Sequence, residues 1–187
     1  SDVYKRQTIN RQVDDIKNLV DEFSNFARMP APNMQKYNIK DIIDNAISLF
    51  DLKSNKIVID LDKKSLDHSI KCDESQINRV LNNLIINSIH SIESKYNNES
   101  GGTIYIDASL NDNYLKIKIF DNGQGLSHKE EDLLKPYFST KEKNIGTGLG
   151  LSIVEKIISE HGGNFHIYNL EDKSGACSEF TLKLTND

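Results

Sequence analysis

A chain of 187 residues, 37% of them hydrophobic, can bury one ordinary core and still carry an appendage. Its formal charge of −5, with no basic stripe, argues against nucleic-acid binding. No apolar run approaches the about 20 residues of a membrane helix, no signal peptide is visible, and Cys72 and Cys177, lacking metal spacing, read as reduced thiols of a cytosolic protein.

The first element is a helix. Ile9, Val13, Ile16, Val20, Phe23 and Ala27 recur in steps of four and three, the seam of a coiled coil or bundle. Pro30 and Pro32 end it. Upstream the same register needs apolar residues where Arg6 and Asp2 stand, so residues 1–7 are expected to be a non-native junction. A seam this regular needs a partner, from a missing upstream helix or a second copy. Residues 8–32 are therefore set apart from a domain at 37–187.

"NIKDIIDNAISLF" reads as a short amphipathic helix with Ile39, Ile42, Ile43, Ala46, Ile47 and Phe50 on one side. "KIVIDL" alternates as a strand, and "IKC" as a second short one. "DESQINRVLNNLIINSIHSIESKY" is a long helix, with Asp73 as N-cap and Gln76 at the capping-box position. "GGTIYIDAS" and "NYLKIKIFD" form a hairpin across "LND". A polar stretch from 121 to 148 follows, then a helix from about Leu149 to His161 closed by Gly162 and Gly163. "NFHIYN" and "SEFTLKL" are closing strands. Hairpins mixed among helices predict a two-layer α/β sandwich with a mixed sheet.

Three constellations could carry chemistry. On the long helix, Ile77, Leu81, Leu84, Ile85, Ser88 and Ile92 face the sheet, while Gln76, Asn83, Asn87, His90 and Ser94 fall roughly opposite. Asn83 and Asn87 share a ridge, and an amide oxygen is a neutral hard ligand suited to Mg²⁺. Asp121 ends a strand just before Gly123 and Gly125, where a carboxylate can accept from a planar amine. Gly146, Gly148 and Gly150 lead into a helix N-terminus, which favours phosphate. Before them, Lys135, Lys141 and Lys143 flank Tyr137 and Phe138 in a cationic flap. Plain readings exist for each: surface asparagines, an Asx turn, a surface loop. The dinucleotide fingerprint fails at Leu151, and no Walker-type Gly-Lys-Ser/Thr is present.

In order and spacing, "DESQINRVLNNLIINSI", "DNGQGL", "PYFSTK" and "GTGLGLSIV" resemble the N box, first glycine box, F box and second glycine box of sensor histidine kinases, members of the GHKL superfamily. The resemblance spans residues 9 to 184, and "FSNFARMPAP" is similar to nitrogen-regulation sensors of the NtrY type. It implies a Bergerat fold with helices on one sheet face, and ATP and Mg²⁺ as cofactors. Asn87 would bind the metal, Asn83 would lie beside the nucleotide, and His90 and Lys141 would act near the phosphates. Asp121 would hold the adenine amino group over Gly123 and Gly125. Phe138, Thr140, Gly146, Thr147, Gly148, Leu149 and Gly150 would complete the nucleotide site as a lid, lengthened here by Asn144 and Ile145. The helix at 8–30 would pair in a homodimer, and a response-regulator receiver domain would take the phosphoryl group.

The resemblance also implies a phosphoacceptor histidine followed by an acidic residue, and none of His68, His90, His128, His161 or His166 fits. The chain is expected to lack it and not to label itself. It would be the cytoplasmic portion of a sensor anchored in the inner membrane through upstream segments. Two alternatives stand beside this: a GHKL ATPase of the Hsp90, MutL or gyrase type, and a nucleotide-binding interaction module. Such ATPases carry a water-activating glutamate four residues before the metal-binding asparagine, where this chain has Asn83.

Overall fold

The computed structural model describes residues 2–50, 57–97, 99–136, 148–172 and 175–184. Helix α1 (Asp2–Ala27) runs without interruption. It starts ahead of the apolar seam because residues 2–8 hold no glycine or proline to stop a helix. Ile9, Val13, Ile16, Val20 and Phe23 are 47–61% exposed, so the described residues leave much of the seam uncovered. At its C-terminal end α1 meets the domain: Phe26 and Met29 pack against the core, and Lys156 Nζ lies 5.4 Å from the centre of the Phe26 ring.

The strand β1 (Gln35–Asn38) leads directly into α2 (Ile39–Ser48), where Asn38 accepts the Lys40 N–H at 2.9 Å and caps the helix. Ile39, Ile42, Ile43 and Ala46 are buried, as their spacing predicts. Strands β2 (Ile57–Leu61) and β3 (Ser69–Cys72) follow. β1 escapes sequence reading because four residues, "QKYN", carry no alternation; antiparallel pairing with β3 imposes the extended state.

Helix α3 (Glu74–Tyr96) buries Ile77, Val80, Leu81, Leu84, Ile85, Ile89 and Ile92. Asp73 caps it, accepting the Gln76 N–H at 3.1 Å. The reciprocal half of the expected capping box does not form. Gln76 is only 7% exposed and sends its Nε2 to the Pro30 carbonyl at 3.0 Å, while the Asp73 N–H goes to His161. Gln76 therefore belongs to the joint with α1 rather than to the face it was expected to share with Asn83 and Asn87.

Next come β4 (Gly102–Asn111), β5 (Tyr114–Asp121), the single-turn α4 (Glu130–Leu133), α5 (Gly150–Glu160), β6 (Phe165–Asn169) and β7 (Ala176–Lys183). The β4–β5 hairpin turns at Asp112–Asn113, one residue beyond "LND", because β4 stays paired through Asn111. The main sheet has the order β2-β4-β5-β7-β6; β2 and β4 are parallel and the other pairs antiparallel. Ile104, Ile106, Leu115, Ile117, Ile119, Phe180 and Leu182 alternate onto one buried face, against which α3 and α5 pack. This is the expected two-layer sandwich. Helix α5 ends in a Schellman motif, with the Gly163 N–H on Ile158 O at 2.9 Å, the Gly162 N–H on Ser159 O at 2.9 Å, and Gly162 at φ +72. Cys72 and Cys177 are buried free thiols, pushed by burial to about 12 and about 11, so they stay protonated at neutral pH.

Candidate functional site

Residues one helical turn apart share a ridge, and on α3 that ridge reads Asn83, Asn87, Ser91. It spans roughly 12 Å at 1.5 Å per residue. Both of its ends touch another wall.

At the far end stands Asp121, the last residue of β5 and 7% exposed. Its Oδ1 accepts the Gly123 N–H at 2.9 Å and the Ser91 hydroxyl at 3.2 Å. Burial nevertheless dominates and holds this carboxyl above its ordinary range. The loop after it is pressed onto α3: a Cβ on Gly123 would lie 2.2 Å from Ser91 Oγ, and the Gln124 N–H donates to Ser91 O at 3.2 Å.

Asn122 does not face this groove. Its Oδ1 accepts the Thr103 N–H at 2.8 Å and its Nδ2 donates to Gly101 O at 2.8 Å, fastening the loop to β4. Farther along, Asn169 grips Leu126 at two points, 2.6 Å to its N–H and 3.0 Å to its carbonyl. Gly125 packs against Asn169, where a Cβ would come within 2.7 Å of Oδ1.

At the near end, the Asn83 Nδ2 donates to Arg79 O at 2.9 Å, and a Cβ on Gly150 would sit 3.1 Å from Asn83 Oδ1. Asn83 thus abuts the first turn of α5, whose N-cap position, Leu149, supplies no side-chain cap. The first N–H groups of a helix have no partner within the helix itself, an arrangement that favours an anion. The Leu149 side chain is fully buried in the core, so only its backbone remains for the role the resemblance implied. His90, half-buried, follows Asn87 by three residues on the same helix.

The structure therefore sets Asp121 and Gly123 at one end, and Gly150 at the other, of the α3 ridge that carries Asn83, Asn87 and Ser91. Phe138, Thr140, Lys141, Gly146 and Thr147 lie outside the described residues, as do Asn144 and Ile145. Sequence reasoning missed Ser91, Gly175 and Asn169. Ser91 had a signal, since it continues the Asn83–Asn87 spacing by another four residues. Behind the 126–132 loop lies an open depression of about 760 Å³ that includes Ser127, Glu130 and Tyr168. Neither Asn87 nor Asp121 lines it.

Residues 72–186 match the family described as histidine kinase-, DNA gyrase B- and HSP90-like ATPase. The nitrogen regulation protein NtrY of Azorhizobium caulinodans is 38% identical over 94% of this chain and 23% of its own length. The sensor histidine kinase ZraS of Salmonella typhimurium is 31% identical over 95% of this chain and 37% of its own. The chain thus spans about a quarter to a third of these relatives. Among solved structures, the catalytic domain of histidine kinase ThkA superposes with a TM-score of 0.68 at 28% identity, covering 82% of this chain and 97% of that one. ThkA in complex with the response regulator protein TrrA gives 0.74 at 23% identity, over 95% of this chain and 50% of that one. With its asparagine ridge, strand-end carboxylate and glycine-led helix, the chain belongs to the histidine kinase-, DNA gyrase B- and HSP90-like ATPase family.

Proposed function

We propose that this chain binds Mg·ATP and, in its parent protein, directs the γ-phosphate to a histidine outside these residues and thence to an aspartate of a response-regulator receiver domain. One observation carries the reading. The hydroxyl of Ser91 bonds Asp121 at 3.2 Å, and Ser91 stands one turn beyond Asn87, which supports a shared site for a purine-binding carboxylate and a metal-binding amide.

The Asp121 carboxylate accepts the adenine amino group, and the N–H groups at the start of α5 receive phosphate oxygens. Among the described residues no three His, Cys, Asp or Glu side chains converge as a metal cage. Mg²⁺ fits a different donor set, with the Asn87 amide, water and the nucleotide's own phosphates around it. Bound there, it supplies neutralisation of phosphate charge. His90 and Lys141 are assigned to the phosphates. Where gyrase-type ATPases place a water-activating glutamate, Asn83 has no basic group to offer, which favours transfer over hydrolysis.

We assign residues 8–32 to the second helix of a dimerisation and phosphotransfer domain, 37–187 to the catalytic domain, and 1–7 to a non-native junction. The exposed seam from Ile9 to Ala27 would pair in a homodimer. Among the described residues no helix is long and apolar enough to cross a membrane. We place the chain on the cytoplasmic side of the inner membrane, with any anchor outside it. ThkA is seen with a response regulator, which supports the same class of partner here.

Calorimetric titration of ADP with Mg²⁺ tests the site, and no heat on well-folded protein would overturn it. Incubation with radiolabelled ATP is expected to leave the chain unlabelled. A stable, acid-labile phosphate on it would contradict the assignment of the acceptor elsewhere.

A further inference from the structure

A serine inside a helix usually returns its hydroxyl proton to a carbonyl of the preceding turn. This chain does so repeatedly: Ser94 Oγ bonds His90 O at 2.8 Å, Ser152 Oγ bonds Leu149 O at 2.9 Å, and Ser48 Oγ bonds Asn45 O at 2.7 Å. Ser91 differs. Its hydroxyl reaches out of α3 to Asp121 Oδ1 at 3.2 Å. Its backbone carbonyl takes the Gln124 N–H, and Gly123 is pressed so closely on it that a Cβ there would lie 2.2 Å from the hydroxyl oxygen. Helix, strand end and loop thus meet at this one side chain.

We propose that Ser91 is a positioning residue for purine recognition, its hydroxyl fixing one oxygen of the Asp121 carboxylate so that the group remains an acceptor for an exocyclic amine. The inference rests on the nucleotide reading above. Two directed donors on Oδ1, the Gly123 N–H at 2.9 Å and the Ser91 hydroxyl, set the plane of the carboxylate. Both favour its charged form, opposing the burial that pushes the carboxyl up. Of the two, only Ser91 can be altered without touching the backbone. A charged carboxylate discriminates between purines: it accepts from the 6-amino group of adenine and repels the 6-carbonyl oxygen of hypoxanthine. Loss of the hydroxyl therefore weakens both the affinity for ADP and the preference for it over inosine diphosphate.

The test is titration of this chain and its Ser91→Ala variant with ADP and inosine diphosphate, each with Mg²⁺, across a pH series. The expected results are ADP affinity weaker by about tenfold, a smaller change for inosine diphosphate, and an acid limb of ADP binding moved to higher pH. Ser91→Cys is near-isosteric and keeps only a weak donor, so its acid limb moves the same way if the alanine variant does not fold. A purely structural role for Ser91 would lower both affinities together and leave the limb in place. Unchanged limbs and an unchanged purine preference in a folded variant overturn the proposal. Absence of ADP binding by the unaltered chain at every pH overturns the nucleotide reading itself.

Discussion

His161 Nε2 accepts the backbone N–H of Asp73 at 3.0 Å, joining the C-terminal end of α5 to the N-cap of α3. The ring's other nitrogen, Nδ1, lies 2.8 Å from Ile157 O and so carries the proton. Asp73 in turn accepts the Asn33 N–H on Oδ2 at 2.9 Å. The two helices that wall the groove are thereby fixed to each other and to the segment leaving α1. His161 is buried, with 5% exposure.

Replacing His161 with Phe deletes both ring bonds and leaves the part-buried Asp73 N–H unpaired, while Ile157 O keeps the backbone N–H of residue 161. The expected cost is about 2 kcal/mol. Urea unfolding of the variant should show a lower midpoint at an unchanged slope. An unchanged midpoint would mean that the joint contributes nothing to the fold.

Asp121 gives a pH dependence of definite sign. Its carboxyl is raised above the ordinary 3.8 by burial, so between that value and its native one the folded protein holds a proton the unfolded chain has released. The stability contribution of Asp121 is thus full below 3.8 and falls as pH rises through the native value. Asp121→Asn removes this titration and, by putting a donor where an acceptor is needed, weakens ADP binding by about 100-fold. Unfolding curves at stepped pH, with ADP titration at neutral pH, check both. An asparagine variant that still binds ADP well would remove Asp121 from purine recognition.

Much of this was legible in the sequence because periodicity reports burial. The α3 and α5 faces, the sheet alternation and the exposed α1 seam all follow from spacing. Sequence could not reveal where polar groups go when tertiary partners compete for them. Gln76 satisfies the capping-box spacing, yet the Pro30 carbonyl takes its amide and His161 takes the N–H it would have capped. β1 and α4 were hidden for a related reason. Each is a four-residue element, β1 held by strand pairing and α4 carrying Glu130, whose Oε1 accepts the Ile167 N–H of edge strand β6 at 3.0 Å. At the groove, residue types with known chemistry drew the reading to Asn83, Asn87 and Asp121. Ser91 carries no such mark, and its role shows only where its hydroxyl leaves the helix.

Gly175 escaped notice as an unremarked glycine before the last strand, and it tolerates no side chain. Its φ is +150, and a Cβ would fall 1.8 Å from Asp121 O and 2.7 Å from Asp121 C, backbone atoms with no freedom to move aside. Gly175→Ala is expected to cost about 3 kcal/mol and, by pushing the end of β5, to weaken ADP binding in whatever fraction remains folded. Calorimetric melting would record a fall in Tm of more than about 5 °C. A smaller shift would show that β5 and β7 can separate here without penalty.

Gly150 poses the opposite case, because the change that should help the fold should harm the site. It occupies the first turn of α5, where alanine is favoured over glycine by about 0.5–1 kcal/mol. The nearest atom to an added Cβ is the Asn83 side-chain oxygen at 3.1 Å, which can yield by a few tenths of an ångström. That oxygen is steadied from the other side, its amide nitrogen bonding Arg79 O at 2.9 Å. Gly150→Ala should therefore melt at a higher temperature without ligand and bind Mg·ADP about threefold to tenfold more weakly, a loss traced to misplacement rather than unfolding. Thermal melts paired with calorimetric titration separate the two effects. A variant both more stable and equally tight for nucleotide would move the phosphate end of the groove away from Asn83 and the α5 N-terminus.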